Sequence, residues 1–228
     1  MDGFECEPVH DGIMLDERVW VLATDRSVMN AVRHLGPRRS RLLAVACCRV
    51  FLPCVDPLVA GVAASALDAA EAFAEPGKLK ATLKRAKRDV AAARGRIDWR
   101  TNRPLWEALS AVEESASEQF THRAVVSEMA AQALMDDAGS AARLRLYNLY
   151  RDVAGCPPEF SFDPAWRTST ALALAEQMYE SRDFAAMPIL SDALQDAGCE
   201  SDSVLSHCRG DGPHVRGCWV IDGILGKG

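Results

Sequence analysis

Aromatic residues supply only 7% of this 228-residue chain, with three tyrosines, seven phenylalanines and five tryptophans. A sheet needs aromatic and β-branched side chains to cover its pleated faces, so the shortage turns the reading toward helices. Sustained alternation of apolar and polar residues is missing too, and no strand is expected. The longest apolar runs, such as Leu42–Cys48, fall far short of the roughly 18 residues of a spanning helix, so no membrane association is expected. Positive charge is not in excess: 26 Lys and Arg stand against 32 Asp and Glu, a formal charge of −6. That balance argues against a nucleic-acid partner. The opening residues MDGFECEPVHDGIMLDE lack a basic segment followed by an apolar one, which points to a cytoplasmic protein. No Walker-type loop or dinucleotide fingerprint is found.

What the chain has instead is alanine and punctuation. Apolar residues reach 49%, enough for a core, and helix stops recur along the sequence. Gly36-Pro37, Pro53, Asp56-Pro57, the Glu75-Pro76-Gly77 turn, Asn102 with Pro104, Gly139-Ser140, Gly155 and Gly198 bound segments of helical period. Further helices are expected from Asp16, from Ser27 and from Thr121 to Asp137. The fold class is therefore all-α, an array or bundle of roughly nine to eleven short-to-medium helices. Residues 1–15 read as a flexible lead-in, 16–155 as a helical scaffold, 156–164 (CPPEFSFDP) as a proline-rich linker, and 165–228 as a C-terminal helical module packed on the scaffold. In the helix from Lys78, Leu79, Leu83, Ala86 and Val90 form an apolar stripe, and Leu144, Tyr147 and Tyr150 are the expected inward face of a later one.

Chemistry-bearing residues crowd into the last fifth of the chain. Eight cysteines in a cytoplasmic protein read as reduced thiols, small core residues or metal ligands rather than as a disulfide framework. Cys199, His207, Cys208, His214 and Cys218 are the candidate metal ligands, and zinc takes four such donors tetrahedrally. Their spacing contains no CxxC or HxxxH pair, and adjacent His207 and Cys208 point different ways on a helix. A thiol activated by His207 or His214, with Asp192, Asp196 or Asp222 orienting the imidazole, is a second possibility. A third is an anion or partner contact at a helix start, made by Arg209, His214 and Arg216. Lys80, Lys84, Arg85, Lys87 and Arg88 form a basic helix surface that suits an acidic partner or simply water.

Two stretches carry a resemblance. Near the N-terminus these are Trp20, Ala23-Thr24-Asp25, Met29 and the run Arg41 to Arg49 (RLLAVACCR). Near the C-terminus they are Pro188, Leu190, Asp192-Ala193-Leu194, Asp196-Ala197-Gly198-Cys199, His207-Cys208-Arg209 and Gly212 to Asp222. Both ends resemble a family of uncharacterised proteins multiplied in planctomycete bacteria. The chain departs from that pattern at Val50, where the family has a second arginine. The resemblance implies no activity. The sequence as a whole supports a non-catalytic protein-interaction or regulatory module with no cofactor and another protein as partner. The alternative is a small zinc-binding or thiol-dependent protein using the C-terminal Cys/His cluster.

Overall fold

A computed structural model describes residues 35–77, 79–119, 139–155 and 161–227. Among these residues every regular element is helical. The nine α-helices are α1 (Pro37–Phe51), α2 (Pro57–Ala74), α3 (Lys80–Arg94), α4 (Arg103–Ser115), α5 (Gly139–Ala154), α6 (Ser169–Ser181), α7 (Met187–Asp196), α8 (Asp202–Arg209) and α9 (Trp219–Leu225). Short 3₁₀ turns lie at Leu52–Cys54 and Pro164–Trp166. The all-α expectation holds. The helices expected from Asp16, Ser27 and Thr121 fall outside the described residues. No helix among those described is long and apolar enough to cross a membrane.

The chain divides between Tyr147 and Asn148 into two compact units. In the N-terminal unit α1 packs on α2 and α4, α2 on α3 and α4, and α3 on α4. Helix α1 is buried along nearly its whole length, from Arg39 to Cys48 and again at Phe51. On α2, Ala63, Ala66 and Ala70 are small enough to let neighbouring backbones approach, and all are buried, as is Leu67. Prolines sit where the missing N–H costs nothing, in the first turns of α1, α4 and α7. Asn102 caps α4 by accepting from the Leu105 N–H at 3.3 Å, and Thr168 caps α6 by accepting from Ala171 at 3.2 Å.

Two details depart from expectation. Leu79 precedes α3 and is 62% exposed, while Leu83 and Val90 are buried. A helix's first turn has no preceding turn to pack beside, so a stripe fades at its end. In α5 the side chains of Leu144 and Tyr147 lie outside the described residues, Tyr150 is only half-buried, and Leu146, Leu149 and Val153 are buried together with Asp152.

The N-terminal unit also buries a cation. Arg41 donates from Nη1 to the Ser115 and Ser117 carbonyls, both at 2.7 Å, and from Nη2 to the Glu118 carbonyl at 3.5 Å. These oxygens lie at and beyond the end of α4, where helix carbonyls lack partners. The guanidinium also lies 5.0 Å from the Phe73 ring centroid. Burial lowers its pKa to about 10, which still leaves it charged at neutral pH.

In the C-terminal unit α6 packs on α7 and α9, α7 on α8, and α8 on α9. Its core gathers Met178, Met187, Leu190, Leu194, Val204, Ile221 and Ile224. Helix α7 ends in a left-handed glycine, Gly198 at φ +85°. The Gly198 N–H bonds the Gln195 carbonyl and the Cys199 N–H bonds the Leu194 carbonyl, each at 2.9 Å. This pair of bonds closes the helix end and turns Cys199 into the core.

Candidate metal centre

Four side chains from three segments meet inside the C-terminal unit: Asp152, His207, His214 and Cys218. One ligand atom from each lies within 4.8 Å of all the others. Helix α5 delivers Asp152 in its last turn, where the helix dipole disfavours an anion. Helix α8 delivers His207; at about 100° per residue its neighbour Cys208 turns instead into the apolar core with Val204 and Leu205. His214 comes from the loop after α8. Gly217, at φ +98°, then makes the turn that puts Cys218 at the N-cap of α9.

Asp152 is the hub, 2% exposed. Its Oδ1 lies 2.7 Å from His214 Nδ1 and 3.1 Å from His207 Nε2. Its Oδ2 accepts the Val215 N–H at 2.9 Å. Burial alone would raise this carboxyl's pKa. The hydrogen bonds from the imidazoles, His207 before His214, lead the effects that oppose burial and leave it lowered. His207 Nε2 also lies 3.2 Å from Cys218 Sγ. On its far side His207 Nδ1 accepts the Trp219 indole N–H at 3.2 Å. The two imidazoles stand edge to face with centroids 4.9 Å apart. His214 Nε2 is buried with no hydrogen-bond partner among the described residues.

Hydrogen counting fixes the tautomers. An indole N–H only donates, so His207 Nδ1 must carry a lone pair and the ring proton sits on Nε2, facing Asp152. His214 carries its proton on Nδ1 for the same carboxylate. With two neutral rings the cluster then holds one uncompensated buried negative charge, which a cation among these side chains would relieve.

Of the five candidate ligands, the structure brings together His207, His214 and Cys218. Cys199 and Cys208 are buried in the apolar core and do not join the group. Burial, then the charges of Cys199 and Asp152, pushes the Cys208 thiol up to about 12. The Cys218 thiol is raised well above its ordinary value, first by burial and then by the Asp152 charge. A cysteine and a histidine do meet, as the thiol reading requires, but the carboxylate beside them is Asp152 rather than Asp192, Asp196 or Asp222. The proposed anion contact divides among protein partners. Arg209 donates to Asp192 and Gln195, Arg216 to the Tyr179 and Glu180 carbonyls, and His214 to Asp152. On α3, Lys80 and Lys84 pair with Glu118, Arg85 with Asp89, and Lys87 donates to Ser117, while Arg88 is exposed.

The missed member of the group is Asp152. Its only signal in the sequence is an acid one step from Val153 on an otherwise apolar stripe. The group offers one thiol, two imidazoles and one carboxylate, a donor set that could hold a metal ion. No protein-family model, curated protein or solved structure matches the chain.

Proposed function

We propose that this chain is a non-catalytic helical module whose C-terminal unit closes around one divalent ion, zinc by its donor set. The convergence of Asp152, His207, His214 and Cys218 within 4.8 Å carries the reading. Tetrahedral zinc separates such ligands by roughly 3.3–3.8 Å. The three hydrogen-bonded pairs stand at 2.7–3.2 Å and every pair lies within 4.8 Å, so some separations must open by about half an ångström and others close by at most about one. A mixed thiolate, imidazole and carboxylate set suits zinc better than the oxygen-seeking magnesium or calcium. Four protein ligands fill the tetrahedron and leave no position for substrate, as structural sites do.

The thiol-dependent alternative is weaker. Cys218 is 0% exposed and held in its protonated form, whereas a nucleophilic cysteine needs an accessible thiolate. With its reactive side chains engaged in holding the fold, the unit offers shape and surface charge, which supports another protein as partner. Membership of the planctomycete family suggested by the two end segments belongs to the same proposal.

Elemental analysis of protein purified under reducing conditions tests the metal, paired with thermal unfolding before and after chelation. The expected result is one zinc per chain and a large chelator-induced drop in Tm, since structural zinc can supply on the order of 10 kcal/mol. Asp152→Asn and Cys218→Ser should lose the ion, while Cys199→Ser and Cys208→Ser keep it. Metal-free protein whose unfolding ignores added zinc would overturn the reading.

A further inference from the structure

We infer that Trp219 sets the cost of metal entry at this cluster, an inference that rests on the metal reading above. Zinc would be bound by His207 through Nε2, the nitrogen that faces Asp152 and Cys218. In the structure that nitrogen carries the proton, because the Trp219 indole N–H occupies the Nδ1 lone pair at 3.2 Å. Binding through Nε2 moves the ring proton to Nδ1, while the Cys218 thiol gives its proton to water. Nδ1–H then confronts the indole N–H, donor against donor. The hydrogen bond is lost and the indole must turn away.

This arrangement inverts the usual outer shell of a metal site, in which the ligating histidine donates its second N–H to an acceptor and removal of that partner weakens binding. Here the partner is itself a donor and opposes the metal. Trp219 opens α9 and is buried, so its turning links the ion to the packing of the last helix. Trp219 is a positioning residue that acts through His207, not a ligand.

The test is zinc affinity by chelator competition on stripped, reduced protein. Trp219→Phe keeps an aromatic ring, though a smaller one, and removes the N–H, and should bind zinc about tenfold more tightly, reversing the sign of the usual outer-shell loss. The gain should vanish in a His207→Gln background, since a change acting through His207 cannot survive its removal. Folded Trp219→Phe with equal or weaker affinity overturns the inference, as does a gain that persists without His207. Should that variant not fold, ¹⁵N-tryptophan labelling of the unaltered protein replaces it: the Trp219 indole resonance, one of five, should shift on zinc saturation, and five unmoved resonances overturn the inference. Zinc that binds while Trp219 stays put sinks only this inference; no zinc binding by either protein sinks the metal reading with it.

Discussion

In the N-terminal unit a buried cation, Arg41, points its guanidinium at three carbonyl oxygens at and beyond the end of α4. In the C-terminal unit a buried anion, Asp152, collects two imidazoles and one backbone N–H. Each ends up beside a helix terminus, yet with opposite consequences. The arginine complements the negative end of a helix, where a cation belongs. The aspartate occupies the negative end of its own helix, where an anion does not, and its two ring partners need not bring charge. One unit has a settled buried charge and the other an unsettled one. Reactive potential collects at the second.

The comparison breaks most forcibly at its two hubs. Asp152→Ala should cost about 3–5 kcal/mol, because three part-buried donors lose their buried acceptor together. Chemical denaturation should show the loss as a lower midpoint. Asp152→Asn retains an acceptor and should cost less, so near-equal losses would mean that charge, not hydrogen bonding, carries the effect. Arg41→Met should cost about 2–3 kcal/mol by leaving the carbonyls beyond α4 unmet. A loss at Arg41 exceeding that at Asp152 would reverse the ranking of the two units.

The pH dependence sharpens the contrast. Asp152, its folded pKa lowered, contributes stability that is complete above the ordinary carboxylate value of about 4 and is lost as pH falls through the lowered value. Cys208 works on the other side. Its folded pKa of about 12 lies above the ordinary 9.0, so above pH 9 the unfolded chain ionises while the folded one does not. Stability should therefore fall as pH rises from 9 toward 12. Denaturation midpoints of Cys208→Ala and the unaltered protein across that range check this: the alkaline slope should flatten in the variant. The smallest effect belongs to Arg182, a left-handed non-glycine closing α6 at φ 59°. Arg182→Gly should raise stability by about 0.5 kcal/mol, visible as a slight rise in Tm.

The helices were legible wherever the backbone announces itself. Pro37, Pro57, Asn102 with Pro104, and Gly198 each stand at an observed boundary, because proline and glycine act through local geometry that needs no tertiary partner. Leu79 misled because a stripe extrapolated to a helix end meets no neighbour there. The site was legible by type and not by membership. His207, His214 and Cys218 are close in sequence and meet in space, and Cys199 and Cys208 share that closeness without joining them. Cys199 follows the glycine turn of α7, and Cys208 lies a third of a turn from His207. Asp152 is 62 residues from His214, and only the packing of α5 brings it in.

Helix α5 begins among residues grouped with the N-terminal unit and ends with Asp152 in the C-terminal one. That placement governs how the gene can be cut. A fragment started after Pro157-Pro158, the natural seam by composition, would keep every histidine and cysteine of the cluster and discard its acid. Such a piece, however well it folds, would lack one of the four side chains of the cluster and could not stand in for the protein in a test of metal binding. The smallest portable segment therefore starts upstream of the proline pair, within the helix that spans the division.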